Sequence, residues 1–209
     1  MQNSKCKICR RIGTKLFLKG DRCVTPKCAM IKRDYAPGMK AKKVRKNFTE
    51  YGKELREKQS LKKWYGLRER QFSNYVKKVL DRRGKVEDAG ALLIASLENR
   101  LDNVVFRAGF ASSRSQARQA VTHGHFLING KRIDVPSYAV KKEDVVSLRP
   151  QSAQKNIFKN LDSALKKQTS PSWIKVDADK LEIKITGEAN LEEAMPPAEI
   201  SSIFEYYSR

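Results

Sequence analysis

Residues 97–136, LENRLDNVVFRAGFASSRSQARQAVTHGHFLINGKRIDVP, decide the fold of this 209-residue chain. Their first half completes a helical region over 88–109, because apolar side chains recur there every three or four residues until a glycine ends the pattern. A shorter helix is predicted over Ser113–Val121, with Ser112 or Ser113 as its N-cap. The stretch therefore begins with two helices in close succession.

The hydrophobic pattern then changes to a period of two. Phe126 and Ile128 alternate with polar residues before the dipeptide Asn129-Gly130, which is typical of a two-residue hairpin turn. Lys131–Val135 is the predicted partner strand, and Val145–Leu148 predicts one further strand. Helices followed by short strands indicate an α+β fold.

The same stretch carries side chains that suit a phosphate backbone. Arg100 and Arg107 lie on the first predicted helix, and Arg114 and Arg118 are four residues apart on one face of the second. A helix N-terminus beside arginines offers both free N–H groups and guanidinium groups to phosphate. We therefore predict a convex RNA-binding surface, although Arg114 and Arg118 could also be solvated helix charges. The loop and hairpin add His123, Asn129 and Lys131.

Two more helices are predicted before this stretch, over Tyr51–Tyr65 and Leu67–Arg83. The second has an apolar side chain at every third or fourth position and a stop at Gly84. Trp64 and Tyr65 are interpreted as core residues, with base stacking as the alternative. The exposed cations of both helices are candidates for phosphate contact.

The C-terminal part is built differently. Residues 151–170 are basic and are expected to be helical. Two strands are predicted over Trp173–Val176 and Leu181–Thr186. Pro196-Pro197 then interrupts the chain before a short terminal helix over Ile200–Tyr207.

The chain carries 44 basic and 23 acidic side chains, a net charge of +21. The charge is uneven: residues 1–95 carry +18, residues 96–169 carry +7 and residues 170–209 carry −4. Such a balance predicts attraction to nucleic acid or to an anionic membrane. No stretch approaches the roughly 20 apolar residues that span a bilayer, and no secretory signal is recognised. A cytoplasmic nucleic-acid-binding protein is therefore expected, with no membrane partner.

All four cysteines fall within the first 28 residues, as Cys6-x2-Cys9-x13-Cys23-x4-Cys28. Two tight pairs separated by a short loop are typical of a structural zinc site with four thiolate ligands. One Zn²⁺ is therefore predicted, while two disulfides or four free thiols are the alternatives. Residues 29–50 follow as a basic, extended arm, which we expect to become ordered on RNA; a solvated linker is the alternative.

The residues of the deciding stretch resemble a known RNA-binding module. Arg100-Leu101-Asp102, the run Ser113–Gln119 and the run from Val121 to Asn129-Gly130 are similar to the small module named after ribosomal protein S-four (uS4). That module is also attached to pseudouridine synthases, tyrosyl-tRNA synthetases and ribosome-rescue factors. The module alone therefore does not identify a function.

The rest of the chain extends the resemblance to nearly the full length. Tyr35-Ala36-Pro37-Gly38, the runs Tyr51–Gln59 and Tyr65–Phe72, and the tail motif Pro171-Ser172-Trp173 with Val176-Asp177 resemble the bacterial uS4 family of small-subunit ribosomal proteins. The cysteines match the zinc-bearing form of that family. Members exist with and without the cysteines, so the resemblance does not make the metal essential.

The resemblance implies a mainly helical first domain with a small C-terminal strand element. That domain is expected over 46–96 with 170–209. The uS4-type module with its following linker helix, over 97–169, is expected as an insertion, and the zinc knot with the basic arm as 1–45.

For function, the resemblance implies a primary binder of small-subunit ribosomal RNA at a junction of the 5′ domain, which nucleates assembly there. It also implies contact with mRNA where mRNA enters the subunit, and an influence on decoding accuracy together with ribosomal protein S-five. No small-molecule substrate and no enzymatic activity are implied. The predicted RNA contacts are Lys5, Arg10, Arg11, Lys15, Lys42, Lys43, Arg45, Lys46, Arg56, Lys58, Lys62, Lys63, Arg68, Arg70, Gln71, Arg82, Arg83, Arg100, Arg107, Ser113, Arg114, Ser115, Arg118, Gln119, His123, Asn129 and Lys131.

Three other functions fit parts of the pattern. An RNA-modifying enzyme would need a catalytic domain, and the roughly 60 residues after the module show no clustered catalytic set. A heat-shock or rescue factor would bind large subunits. Zinc-dependent DNA binding is disfavoured because no helix-in-groove unit with a dimer-forming zipper follows the cysteines.

Overall fold

The computed structural model describes residues 4–38, 48–82, 88–159, 161, 165 and 170–208. The chain divides into two compact units. The first comprises Met1–Leu93 with Met195–Arg209, and the second comprises Ile94–Ala194. Helices combined with short antiparallel strands confirm the predicted α+β class.

The first unit is helical within its described residues. A 3₁₀ turn over Gly20–Cys23 separates its first two helices, and a helix over Ala89–Glu98 begins in this unit and ends in the second. The helices are α1 (Ser4–Ile12), α2 (Ala29–Lys32), α3 (Glu50–Trp64), α4 (Glu69–Leu80), α5 (Ala89–Glu98) and α10 (Ile200–Ser208).

Local sequence explains where α3 begins and which residues of α4 are buried. The Thr49 hydroxyl accepts a hydrogen bond from the Gly52 N–H at 3.3 Å, which caps the start of α3. In α4, Phe72, Val76 and Val79 are buried, as their spacing of four and three residues predicts. Both predicted helices are confirmed.

The last helix of the chain packs on α3, so the first unit is completed by residues distant in sequence. The Ser60 hydroxyl donates to the Pro197 carbonyl at 3.1 Å, and Ile203 is fully buried. The rings of Tyr51 and Tyr206 stack with their centroids 5.5 Å apart. The predicted terminal helix is confirmed.

A charged cluster joins α3 to α4. Lys58 Nζ donates to Glu69 Oε1 at 2.7 Å and Lys62 Nζ donates to Glu69 Oε2 at 2.5 Å, while both lysine side chains are buried. Burial opposes ionisation of Glu69, but the two lysine hydrogen bonds outweigh it and lower the pKa of that carboxyl to about 2. Burial and the Glu69 charge raise the pKa of Tyr207, whose hydroxyl donates to the same carboxylate.

The second unit combines short helices with one sheet. Within the described residues the five strands are all antiparallel, in the order β2-β1-β3-β5-β4. The elements are α6 (Leu101–Arg107), α7 (Arg114–Thr122), β1 (Phe126–Ile128), β2 (Lys131–Arg132), β3 (Val145–Leu148), α8 (Pro150–Ala153), β4 (Ile174–Asp177), β5 (Glu182–Ile185) and α9 (Leu191–Ala194).

The predicted hairpin is confirmed, and its turn chemistry is visible. Asn129 and Gly130 have φ values of 48° and 79°, the left-handed backbone that the two central residues of a type I′ turn require. Asn129 Nδ2 donates to Asp144 Oδ1 at 2.8 Å, and its Oδ1 accepts from the Val145 N–H at 3.0 Å. The turn is therefore tied to the start of β3.

The core of the second unit forms where the helices meet the sheet. Val104 and Val105 of α6 are fully buried together with Phe126 of β1, Val146 of β3 and Ile183 of β5. Burying apolar area of this kind contributes roughly 25 cal/mol per Å². Phe126 and Ile128, the apolar residues of the predicted alternation, are both buried in this core.

The observed division of the chain differs from the predicted one in residues 170–194. These residues were expected to join the helical domain, but β5 pairs with β3 in the register Val146↔Ile183, which places β4 and β5 in the second unit. The physical reason is that β5 supplies a hydrogen-bonding partner for β3 and buries Ile183 and Ile185 in the same core.

The helical region predicted over 88–109 is interrupted in its middle. Arg100 has the extended backbone angles φ −69° and ψ 137° and forms an isolated β-bridge with Ala139. The Leu101 N–H donates to the Tyr138 carbonyl at 2.9 Å, and the Val140 N–H donates to the Asn99 carbonyl at 2.8 Å. These long-range bonds replace the helical ones, so α5 ends and α6 begins at this point.

Some predictions lie outside the described residues. These are residues 39–47 of the basic arm, the stop at Gly84 and part of the predicted helix over 151–170, whose described portion consists of α8, the turns that follow it and the helical residues Leu161 and Leu165. Among the residues that the structure does describe, no helix is long and apolar enough to cross a membrane.

We predict that Glu69→Gln lowers the stability of the first unit at neutral pH but not in strong acid. The pKa of Glu69 is about 2 in the folded chain against an ordinary value of 4.5, so its stabilising effect is present above pH 4.5 and is lost as the pH falls towards 2. Urea unfolding followed by circular dichroism from pH 7 to pH 2 measures this difference. The exposed Glu205 of α10 provides the control Glu205→Gln. A difference between Glu69→Gln and the unmodified protein that is as large at pH 2 as at pH 7 would contradict the assignment.

Candidate nucleic-acid interface

The start of α7 is built by serines, as the sequence predicts. The Ser113 hydroxyl accepts from the Gln116 N–H at 3.4 Å, which makes Ser113 the N-cap. Gln116 Oε1 in turn accepts from the Ser112 N–H and the Ser112 hydroxyl, at 3.0 and 2.8 Å. Ser113 is buried while Ser115 is exposed, so Ser115 is the serine of this pair that lies at the surface.

One face of α7 is open to solvent. Ser115, Gln119 and Thr122 recur at a spacing of four and three residues and are all exposed, with His123 exposed at the end of the helix. Arg118 is half-buried on the same helix. The hairpin contributes exposed Asn129 and Lys131.

The hairpin and the end of α7 are brought together by a glycine. Gly124 has a φ of 67°, and a Cβ at that position would collide with the guanidinium of Arg132. Arg132 therefore lies directly over the residue that follows α7, and it is exposed. Sequence reasoning did not select Arg132, although it follows Lys131 in the basic strand after the Asn-Gly turn.

His125 lies under this surface and not on it. It is 3 % exposed, and its Nδ1 is 2.9 Å from the Ser152 hydroxyl. Burial lowers the pKa of His125, and the neighbouring charges of Lys155, His123, Arg149 and Arg132 lower it further. His125 therefore has a structural role as a buried hydrogen-bonding partner of Ser152, with cationic side chains as its neighbours.

Two of the predicted RNA contacts turn inward towards Glu98. The Arg107 guanidinium donates to both carboxylate oxygens of Glu98, each at 2.9 Å, and to the Ala194 carbonyl at 2.8 Å. Arg114 Nε donates to Asn103 Oδ1 at 2.8 Å, and its guanidinium lies 4.5 Å from the centre of the Phe106 ring. Their side chains are only 19 % and 12 % exposed, so the RNA contacts of these two arginines stay predictions that this geometry disfavours.

Arg100 is a core residue. It is 1 % exposed, and its guanidinium makes a two-pronged ion pair with Asp102, with donor–acceptor distances of 3.0 and 2.7 Å. Its RNA contact stays a prediction, which its burial against Asp102 disfavours. Because Asp102 is only two residues away, its carboxylate occupies the Arg100 guanidinium that was predicted to contact a phosphate.

The first unit divides its cations in the same way. Lys58 and Lys62, whose RNA contacts stay predictions, are buried partners of Glu69 in this structure. Arg10 donates to the Tyr35 carbonyl at 2.9 Å, and the Gln71 side chain accepts from the Arg68 N–H at 3.4 Å at the start of α4. The exposed cations among the predicted set are Arg11, Arg68, Arg70 and Arg82, and the half-buried ones are Lys5, Arg10, Lys15, Arg56 and Lys63. Lys42, Lys43, Arg45, Lys46 and Arg83 lie outside the described residues.

The four cysteines line one small cavity of about 10 Å³. Cys9, Cys23 and Cys28 are buried and Cys6 is half-buried, and none forms a disulfide. Burial raises the pKa of the Cys9 thiol, a backbone hydrogen bond from Leu16 opposes this, and the charges of the other three sulfurs raise it further. The Lys19 N–H donates to Cys23 Sγ at 3.4 Å.

The donor chemistry of this cavity suits zinc, since four thiols from one short segment are the ligands of a closed structural site. Over the described ranges, however, no group of three or more His, Cys, Asp or Glu side chains is assembled closely enough to count as a ready metal centre. The structure thus brings the four sulfurs to one cavity without showing the finished site.

The chain matches two protein-family descriptions. Residues 1–98 match the family described as "Ribosomal protein S4/S9 N-terminal domain", and residues 99–146 match the "S4 domain". A relative from Kosmotoga olearia named "Small ribosomal subunit protein uS4" is 46 % identical over 98 % of this chain and 96 % of its own length. Relatives from Thermotoga petrophila, named likewise, and from Clostridium acetobutylicum, named "Small ribosomal subunit protein uS4A", are each 47 % identical with the same coverage.

We predict that Asp102→Ala destabilises the protein by about 3–5 kcal/mol, because it leaves the Arg100 guanidinium buried without its carboxylate. Chemical unfolding measures the loss. Asp134→Ala, at an exposed aspartate of the same unit, is the matched control and is expected to change stability by less than about 0.5 kcal/mol. Equal stability of the two variants would show that Arg100 finds another partner when Asp102 is absent.

Proposed function

This chain belongs to the uS4 family of small ribosomal subunit proteins, and we propose that it binds small-subunit ribosomal RNA directly through the exposed cations of its two units. As a member of that family it is a structural constituent of the small ribosomal subunit and not an enzyme. The observation that carries the proposal is the sorting of cations: those that are buried meet Glu69, Glu98 or Asp102, while Arg68, Arg70, Arg82, Lys131 and Arg132 lie at the surface.

The exposed set suits recognition by shape and phosphate. Ser115 and Gln119 offer hydrogen bonds along the open face of α7, and Lys131 and Arg132 add charge from the hairpin. RNA is recognised largely through phosphates, sugars and local shape. Dispersed cations and hydrogen-bonding side chains of this kind suit that recognition better than base-edge reading in a DNA groove. A net charge of +21 adds a long-range attraction to any polyanion.

We further propose the finer roles that the family resemblance implies. The RNA partner is a junction in the 5′ domain, and binding there nucleates assembly. The proposed contact with incoming mRNA lies in the region that the resemblance places near Arg45, Lys46 and Arg56, with Arg45 and Lys46 as the residues assigned to mRNA. The net-acidic residues 170–209, with Glu188, Glu192 and Glu193 exposed, are the proposed surface for ribosomal protein S-five, through which decoding accuracy is influenced.

We predict that the purified protein protects a compact set of nucleotides in the 5′ domain of naked small-subunit ribosomal RNA. Its affinity should fall steeply with salt, since every phosphate contact releases condensed cations. Replacing exposed Lys131 by alanine should reduce the slope of log affinity against log salt by about 1. Diffuse protection, or a slope near zero, would refute direct recognition.

We also propose that Cys6, Cys9, Cys23 and Cys28 hold one structural Zn²⁺. The supporting observation is that four reduced, mostly buried thiols line the same small cavity, with a backbone N–H already directed at one sulfur. When bound, such an ion cross-links the loop that carries its ligands and leaves no open position for catalysis. Lys5, Lys15 and Lys19 line the same cavity and would offset the negative charge of the thiolates.

We predict that Cys9→Ser abolishes stoichiometric zinc, measured by native mass spectrometry, and increases amide hydrogen exchange in residues 4–38. The helices α3 and α4 should keep their protection, because their buried core residues Leu61, Phe72 and Val76 do not line the cavity. The unmodified protein stripped with a chelator is the control and should behave in the same way. Loss of protection throughout the chain would show that the segment is not independent.

A further inference from the structure

A groove in the first unit has no role in the account so far. Its volume is about 630 Å³, within the range of roughly 300–1,000 Å³ typical of ligand pockets, and it is lined by residues along α1 and α3 and by Phe48, which precedes α3. Ile8 and Ile12 from α1 and Leu55 from α3 make its wall apolar. An apolar groove of this size that is open to solvent is typical of a binding site.

The charge of the groove restricts what that occupant is. Lys7, Arg11, Arg56 and Lys63 line it, and among its ten described lining residues there is no aspartate or glutamate. The ligand must therefore combine an apolar part with negative charge. A nucleotide has a flat base with two apolar faces and one phosphate, which is the combination that this lining complements.

An aromatic ring and a guanidinium are already positioned in the groove. Phe48 is 47 % exposed, and the Arg56 guanidinium lies 5.4 Å from the centre of its ring. Arg56 also approaches Gly13, where φ is 83° and a Cβ would lie 2.8 Å from Nη2. A glycine at the end of α1 thus leaves room for the arginine, and the Phe48 ring packs over Gly52 at the start of α3.

We propose that this groove receives a single unpaired nucleotide of the bound ribosomal RNA. The base stacks on Phe48 beside the Arg56 plane, and its sugar and phosphate meet Arg11 and Lys63. The amide of Gln59, which also lines the groove, offers one donor and one acceptor to the base edge. The proposal rests on the proposed RNA-binding function and adds to it a defined pocket for one nucleotide.

The test uses the full-length, zinc-loaded protein and a transcript of the 5′ domain of small-subunit ribosomal RNA. Phe48→Ala should weaken binding by roughly 5- to 150-fold, the effect of losing one base–aromatic stack, without changing the salt slope. Phe17→Ala removes an equally exposed ring, 49 %, from the same unit outside the groove and should leave affinity unchanged. Gln59→Ala, which keeps the ring, should weaken binding several-fold, and circular dichroism confirms that each variant is folded.

Chemical probing of the RNA provides the second reading. One unpaired nucleotide should be protected by the unmodified protein and by Phe17→Ala, but should become reactive with Phe48→Ala while the remaining footprint persists. Unchanged affinity and an unchanged footprint for Phe48→Ala would overturn the groove proposal and leave direct RNA binding standing. No compact footprint with the unmodified protein would overturn both. If Phe48→Ala binds naked RNA normally but enters reconstituted small subunits poorly, the groove takes a protein and the nucleotide proposal is overturned.

Discussion

Pairing of buried cations with a few carboxylates is the constraint on which this structure depends. A chain with a net charge of +21 cannot bury lysine or arginine without a partner, because an unpaired buried charge is strongly destabilising. Within the described residues Glu69, Glu98 and Asp102 supply those partners. Glu69 links α3 with α4, and Glu98 links α5 with α6. Asp102, at the start of α6, binds Arg100 at the break between α5 and α6. The cations that remain exposed in each unit are the ones that we propose contact RNA.

Much of the fold could be predicted from the sequence because its determinants are local. The spacing of Phe72, Val76 and Val79 gives α4, the cap at Ser113 gives α7, and the Asn129-Gly130 turn gives the hairpin. Each depends on residues within one or two turns of each other. The cluster of cysteines likewise indicated that four sulfurs would lie together, and they do line one cavity.

The missed features depend on partners distant in sequence. The sequence pattern predicts that Arg100 is helical and contacts RNA. Its bridge to Ala139 and its buried ion pair with Asp102 are visible only in the structure. The pairing of β5 with β3 links residues nearly forty positions apart, which no periodicity reveals. Lys58 has the same appearance in sequence as an exposed lysine, because Glu69 lies on another helix. Charge pattern alone could not separate inward from outward cations.

The packing of α10 on α3 also affects the order in which the two units can fold. Ribosomes synthesise chains from the amino terminus, so the whole second unit is made before the helix that covers α3 exists. A nascent or truncated chain that lacks Ile200–Ser208 would present α3 without Ile203 and without the stacked ring of Tyr206. Such a chain exposes apolar surface of α3 that α10 otherwise covers. The first unit therefore cannot finish folding until Ile200–Ser208 has been synthesised, even though most of its other residues lie in the first half of the chain.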